Sequence, residues 1–205
     1  MSNKKQTYRK LLSPKFFRDN EYSEHSAQRF IYSLLLDDWL TQAAIEAFLE
    51  GSDISDERLK NIEDEKTMIA SLHEPEKILD LMRKNLDVMN RPLLIDKALE
   101  YESEILPPAV DKLIRNTHDI YIENAIQLLS KSRENYCMLL KERFDEIRCP
   151  YVKSLVCLIL GLRGDEEIIP WMIDKFYEME KHYPDEDYDQ GPLLALHELN
   201  SRFYL

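Results

Sequence analysis

The stretch PDEDYDQGP, residues 184–192, carries carboxylates at every second position and has the spacing of a metal-binding loop. An EF-hand loop offers its first three carboxylates at this spacing, and Asp185, Asp187 and Asp189 fit it. The glycine that such a loop needs at its sixth position is replaced by Gln190, and the glutamate that closes it at the twelfth is replaced by Leu196. The pattern therefore indicates a hydrated loop between two helices, with a weak divalent-ion site as the open alternative.

Other sequence motifs for catalysis or metal binding do not occur. The histidines never form an i, i+4 pair, and the sequence has no HExxH, CxxC, GxSxG or glycine-rich phosphate loop. His182 and His197 flank the acidic loop, where histidines near helix ends more often complement the helix dipole. Trp39 and Trp171 stand among apolar residues at helical spacing, which indicates core positions. We therefore predict no catalytic residue, no metal site and no cofactor.

The cysteines and the lengths of the apolar runs indicate in which cellular compartment the protein is expected. Cys137, Cys149 and Cys157 are odd in number and lie in apolar or helical stretches, which indicates free buried thiols in a reducing environment. The longest apolar run, residues 155–162, is far shorter than the roughly 20 residues that a membrane-spanning helix needs. We expect a soluble cytoplasmic protein that does not contact a membrane.

Charge is distributed unevenly along the 205 residues. The net charge is −12, yet six lysines and arginines precede the first acid, Asp19, so the remainder of the chain carries −18. Such a body repels phosphate and steers cations toward itself, which argues against a nucleic-acid partner and favours a basic protein. We expect the basic N-terminal arm to be a solvated terminus.

Apolar residues recur at spacings of three and four throughout, as in an α-helix, and no strand pattern competes. Prolines that precede such runs mark helix starts, including Pro107 and Pro108. The predicted helices cover about 24–36, 38–50, 55–72, 75–89, 92–102, 106–116, 120–131, 134–147, 151–163, 166–181 and 192–203.

Internal repetition indicates how these helices are organised. The segment LPPAVDKL, residues 106–113, aligns with IPWMIDKF, residues 169–176, at an offset of two periods of about 31 residues. Two further runs begin at Tyr121 and Tyr151 and superimpose their apolar positions one period apart. Helix pairs repeated at this period predict an all-α fold of the α-solenoid class, a superhelical array of antiparallel helix pairs.

The junction VCLILGLRGDEEIIPWMIDKF, residues 156–176, resembles the bacterial HEAT-like repeats of the phycobilisome-lyase type. The matching positions are Leu160, Gly161, Gly164, Asp165, Ile169, Pro170, Met172, Ile173 and Phe176. In this pattern Gly164 is expected to close one helix in a left-handed conformation and Asp165 to cap the next. The resemblance implies HEAT-like repeats over about residues 75–205, in about four helix pairs, behind a helical N-terminal cap over residues 1–74. We expect one continuous structural unit.

An extended α-solenoid surface chiefly binds other proteins, and this sets the functional hypothesis. We predict a non-catalytic adaptor, scaffold or neutralising protein whose partner is a basic protein. The polar face of the helix at 120–131 is the expected contact surface, and its residues are Tyr121, Glu123, Asn124, Gln127 and Lys131. The alternative is an enzyme or enzyme subunit of the HEAT-like lyase type, which the resemblance alone implies.

Overall fold

The computed structural model describes residues 3–21, 23, 25–36, 50–51, 54–115 and 118–205, and these residues contain α-helices and 3-10 turns but no β-strand. We number the helices α1 to α12 in chain order. Their bounds are Asn3–Leu11, Pro14–Asp19, Ala27–Leu36, Asp56–Ala70, Pro75–Leu81, Arg91–Leu99, Glu102–Arg115, Asp119–Lys131, Cys137–Glu142, Pro150–Arg163, Ile169–His182 and Gln190–Tyr204. The all-α prediction is confirmed, and the predicted helix at 38–50 lies almost wholly outside the described residues. In the described part of the chain, no helix is long and apolar enough to cross a membrane.

Local signals explain the starts of five helices. Pro75, Pro92, Pro150 and Pro170 stand in the first turns of α5, α6, α10 and α11, where a missing N–H costs no hydrogen bond. The side chain of Ser55 accepts a hydrogen bond from the backbone N–H of Arg58 and so caps α4.

Helix α7 begins earlier than predicted. The chain is already helical at Glu102, because the backbone N–H groups of Glu104 and Ile105 donate to the carbonyl of Tyr101. Pro107 and Pro108 therefore lie inside the helix, and the prediction that they mark its start is wrong. Burial of Ile105 and Leu106 stabilises the upstream turn that the prolines alone would not predict.

Two other predicted helices are shorter than expected. Helix α5 ends at Leu81, and a 3-10 turn at Val88–Asn90 follows, because the Asp87 carboxylate accepts the backbone N–H of Met89. Helix α9 covers Cys137–Glu142 only, since the Asn135 side chain accepts the backbone N–H of Cys137 and starts the helix there.

The chain divides into two compact units. The first unit comprises residues 1–33 and 135–205, and the second comprises residues 34–134. The predicted division into a cap at 1–74 and repeats at 75–205 is a statement about internal repetition, and it stays a prediction.

In the second unit the helices lie in two layers. Helix α6 contacts α4 on one side and α8 on the other, while α5 contacts α7 in the second layer. Helices α6 and α7 contact each other, as do α7 and α8, so the layers share one core that includes Ile78, Leu94, Leu106 and Ile122. Buried amides stabilise this packing, because the Asn90 side chain donates to the Ile62 carbonyl at 3.0 Å.

In the first unit α10 is the central helix. It contacts α9 and α12, and α12 also contacts α11. Its residues 154–161 are all buried, as expected for a helix that is apolar almost all round. Two glycines allow α10 and α12 to approach closely: a β-carbon at Gly161 would lie 2.5 Å from the Ala195 Cα, and one at Gly191 would overlap the Ser154 carbonyl.

The repeat junction is partly as predicted. The Asp165 carboxylate accepts the backbone N–H of Glu167 at 3.0 Å and so caps the 3-10 turn Glu166–Ile168 that leads into α11. Gly164 has φ −73° and ψ 170°, so the expectation of a left-handed glycine is wrong. The α10 backbone ends in an extended conformation instead.

The basic N-terminal arm is not the solvated terminus that we expected. It forms α1 and α2, and α1 contacts α11. Lys4 pairs with Glu167 at 3.2 Å, the Tyr8 hydroxyl donates to the same carboxylate at 2.9 Å, and the ring of Phe16 lies edge-on to Phe176. Tertiary contacts to an acidic turn therefore order a segment that has little apolar periodicity of its own.

Candidate binding surfaces

A cleft on the second unit has a charge distribution suited to a basic ligand. It encloses about 810 Å³ between the first turns of α5 and the N-terminal half of α7. Its lining consists of His73, Glu74, Pro75, Glu76, Lys77, Leu79, Asp80, Glu104, Ile105, Pro108 and Lys112. We call it the acidic cleft, because four carboxylates face two lysines.

The lysines balance only part of this negative charge. Lys77 pairs with Glu74 at 3.0 Å, and Lys112 pairs with Asp80 at 3.6 Å. The Lys77 ammonium also holds the pKa of the Glu74 carboxyl below its usual value. Glu76 and Glu104 form no ion pair with any residue that the structure describes, so two carboxylates of the cleft are not compensated by a neighbouring described cation.

The floor of the acidic cleft adds apolar surface. Leu79 and Ile105 are buried beneath it, and Pro108 forms part of its wall. The aliphatic stem of a lysine or arginine side chain fits an apolar floor of this kind.

The contact surface that the sequence predicted lies on α8, in the other layer of the second unit. Tyr121 is fully buried: its hydroxyl donates to the Ala109 carbonyl at 3.2 Å and its burial raises its pKa. Asn124 is also buried, and its amide donates to the Met82 carbonyl at 2.9 Å. In this structure both side chains hold the core together and neither is accessible to a partner.

The other three predicted residues reach the surface. Glu123 is half-buried and pairs with Arg91 at 3.1 Å, Gln127 is half-buried, and Lys131 is exposed. Their contact with a partner stays a prediction. The structure thus brings together Glu123, Gln127 and Lys131 on one helix, and it separates them from the acidic cleft by placing them in the opposite layer.

The residues of the acidic cleft were missed in the sequence because each acid looks like an ordinary first-turn charge. Glu76 and Glu104 stand in the first turns of α5 and α7, where a carboxylate complements the helix dipole. Their separation of 28 residues, close to the repeat period, is the signal that places them on neighbouring helices of one layer.

The acidic loop at 184–192 is held by backbone contacts. The hydroxyl of Ser154 donates to the Tyr188 carbonyl at 2.6 Å and accepts the Gly191 N–H at 3.2 Å. Burial raises the pKa of Asp189, while Asp185 and Asp187 are exposed. Within the described part of the chain, no group of three or more His, Cys, Asp or Glu side chains is placed to share a metal ion.

The two histidines that flank this loop make separate contacts. His182 Nδ1 lies 2.7 Å from the Glu178 carbonyl in the last turn of α11. His197 stacks on Phe17 with ring centroids 4.1 Å apart, and its burial lowers its pKa.

The thiols and the one described tryptophan take the environments expected for structural residues. Burial raises the pKa of the Cys137 thiol to about 11 and that of Cys157 further, while Cys149 is half-buried. A thiol with a raised pKa is a poor nucleophile. Trp171 is half-buried and lies edge-on to Phe144, whereas Trp39 lies outside the described residues.

Comparison with known proteins assigns neither surface to a family: no family model, no curated protein and no solved structure matches the chain.

Proposed function

We propose that this chain is a non-catalytic protein-binding module of the HEAT-like repeat type, and that it binds a basic partner protein through the acidic cleft. The observation that carries the proposal is the pair Glu76 and Glu104, two exposed carboxylates without an ion-pair partner among the described residues, above an apolar floor. A buried apolar contact surrounded by complementary charge is the usual composition of a binding site for a lysine or arginine anchor.

The packing within each unit supports the repeat part of the proposal. The second helices of successive predicted repeats run parallel to each other and are in contact. Ser154 near the start of α10 lies against Gly191 near the start of α12, and Gly161 further along α10 lies against Ala195 of α12. The ion pair between Arg91 and Glu123 likewise joins the start of α6 to the start of α8. Neighbouring helix pairs of a HEAT-like array stack with this relation.

The chain's own basic helix supports the charge part of the proposal. Helix α1 lies against the acidic turn at Glu166 and Glu167, with Lys5 3.9 Å from the first carboxylate and Lys4 3.2 Å from the second. A lysine-bearing helix therefore already recognises a carboxylate pair of this protein. With a net charge of −12, association with a cationic partner is also accelerated and association with nucleic acid is opposed. Free buried thiols suit a reducing compartment, and we propose the cytoplasm.

A comparative pull-down tests the proposal. The tagged protein, the variant Glu76→Gln/Glu104→Gln and the control Glu57→Gln/Asp64→Asn are each incubated with lysate of the source cells, and the retained proteins are quantified by mass spectrometry. Both double variants lose two carboxylates from exposed positions of the same unit, so they differ only in where the charge is removed. We expect one basic protein on the wild-type and control columns at low salt, and its loss from the cleft variant.

Raising the ionic strength to about 0.3 M is expected to release the same protein from the wild type, because exposed charges more than a Debye length apart are then screened. Equal retention by the cleft variant would contradict the proposal, as would a retained partner without excess basic residues. A third variant, Gln127→Ala/Lys131→Ala, tests the α8 surface: loss of the partner from this column alone would place the contact there instead.

A further inference from the structure

A second cleft, on the first unit, has the opposite charge. It encloses about 660 Å³, a size typical of small-molecule pockets, between α9, the α10–α11 junction and the end of α12. Its lining consists of Asn135, Cys137, Met138, Lys141, Arg163, Gly164, Asp165, Glu167, Ile168, Arg202 and Phe203. We call it the basic cleft, because three cations line it in a chain that is strongly acidic overall.

The arginine on α12 is held in place by one hydrogen bond, and most of its donors meet no acceptor among the described residues. Arg202 Nη1 donates to the Gly161 carbonyl at 2.7 Å, and its guanidinium lies 5.0 Å from the centroid of the Phe203 ring. One of its five N–H groups is thereby used, and it forms no ion pair with any described residue. Lys141 likewise has no ion-pair partner in the described part of the chain.

The two acids of the basic cleft are engaged by other groups. Asp165 accepts the backbone N–H of Glu167 as a cap, and the Glu167 carboxylate accepts hydrogen bonds from Lys4 and the Tyr8 hydroxyl. Burial raises the pKa of the Cys137 thiol, which lines the same cleft, and the positive charges of Arg163 and Arg202 oppose that rise. Among the described residues, neither of the two acids forms an ion pair with Arg202 or Lys141.

The remaining wall is apolar. Ile168 and Cys137 are buried, Phe203 is half-buried, and Met138 is 65% exposed although it is a large apolar residue. An exposed methionine has a flexible side chain that adapts its shape to an apolar ligand.

We infer that the basic cleft binds a small organic monocarboxylate, whose carboxylate pairs with Arg202 and Lys141 and whose apolar body contacts Met138 and Phe203. A planar guanidinium binds a carboxylate through two parallel hydrogen bonds, and a single anionic group suits two cations that are partly offset by nearby acids. This inference goes beyond the proposed function, because it concerns the other unit and a different class of ligand.

The probe for this inference is 3-phenylpropionate, compared with 3-phenylpropionamide and with inorganic phosphate. Binding is followed by NMR of the protein labelled at its methionine methyl groups, and the Met138 signal is assigned with Met138→Leu. We expect the carboxylate to shift the Met138 methyl resonance in a saturable way. The amide keeps the shape of this ligand and loses its charge, so we expect its apparent affinity from the same titration to be about ten-fold weaker.

Three variants locate the carboxylate. Arg202→Gln and Lys141→Gln are each expected to weaken 3-phenylpropionate binding by about ten-fold, while Arg148→Gln, at an exposed arginine outside the cleft, leaves it unchanged. The Lys141 side chain forms no hydrogen bond with a described residue, so the result for Lys141→Gln stands even where Arg202→Gln loosens the end of α10. The inference would be overturned if the amide or inorganic phosphate bound as tightly as 3-phenylpropionate. It would also be overturned if 3-phenylpropionate left the Met138 methyl resonance unshifted.

Discussion

The close approach of α10 and α12 at Gly161 leads to a prediction that opposes helix propensity. Replacing glycine by alanine in a helix interior ordinarily stabilises a protein by roughly 1 kcal/mol. At Gly161 the added β-carbon would lie 2.5 Å from the Ala195 Cα and 2.6 Å from the Ala195 Cβ, whereas ordinary contacts begin at 3.4 Å. Because backbone cannot rotate away as a side chain does, the two helices must separate by about 1 Å.

The size of the effect follows from this separation. Overpacking a well-packed core costs about 1–3 kcal/mol, and a gap of about 1 Å along a helix interface also forfeits a quarter to a half of the dispersion energy of the atoms facing it. The separation would in addition lengthen the bond from Arg202 to the Gly161 carbonyl. After the gain in helix propensity is subtracted, we expect Gly161→Ala to lose about 2 kcal/mol, or about 4–8 °C in Tm.

The assay measures unfolding of the first unit by fluorescence. A Trp39→Phe background leaves Trp171 as the single tryptophan, and its contact with Phe144 reports on that unit. Gly51→Ala is the control, since a β-carbon there would meet no described atom within 4 Å. We expect a lower urea midpoint for Gly161→Ala and an unchanged Trp171 transition for Gly51→Ala. A Gly161→Ala protein as stable as its background would refute the close approach of the two helices.

Three further predictions concern the core, pH and the N-terminal helix. Asn124→Ala is expected to lower the free energy of unfolding by about 1–3 kcal/mol, because it leaves a buried carbonyl at the end of α5 without its donor. The control Gln127→Ala is expected to change the free energy of unfolding by less than about 0.5 kcal/mol, and urea unfolding of both variants measures the contrast. Burial depresses the pKa of His197 in the folded protein, so its contribution to stability is complete above the pKa that this histidine has in the unfolded chain and is lost as the pH falls. When the free energy of unfolding is measured between about pH 7.5 and 5.5, the His197→Gln protein should therefore lose less stability than the wild type. Glu167→Gln removes the charged acceptor shared by side chains of α1, and hydrogen exchange should show faster amide exchange in α1 with no change in α10; equal exchange in both proteins would mean that other contacts hold α1.

The helices that sequence patterns predicted best are those with both a strong period and a local start signal. Helices α4, α8, α10 and α12 begin and end within about two residues of the predicted bounds, because apolar periodicity coincides there with a first-turn acid or proline. Helices α1 and α2 were missed because their order depends on contacts with α11 that are distant in sequence. The early start of α7 was missed for a similar reason, since burial of Ile105 outweighs the local preference of Pro107 and Pro108.

The candidate sites could be predicted less well than the fold. Polar residues on one helix face do not reveal which of them turn inward, and Tyr121 and Asn124 turn inward because each satisfies a buried carbonyl of another helix. Glu76 and Glu104 become a site only when α5 and α7 lie side by side. Arg202 and Lys141 are likewise brought to one cleft by packing of α9 and α12 against the same junction.

Site-specific photo-crosslinking tests the proposed binding surface most directly. A photoreactive amino acid replaces Lys77 in the acidic cleft in one protein and Lys131 on α8 in another, and each is irradiated in lysate of the source cells before the adducts are identified by mass spectrometry. Lys77 is exposed and lines the cleft, and its replacement leaves all four carboxylates in place. We predict a covalent adduct with a basic protein from position 77, absent after Glu76→Gln/Glu104→Gln, and none from position 131. An adduct from position 131 alone, or one from position 77 that persists after the two charges are removed, would contradict the account.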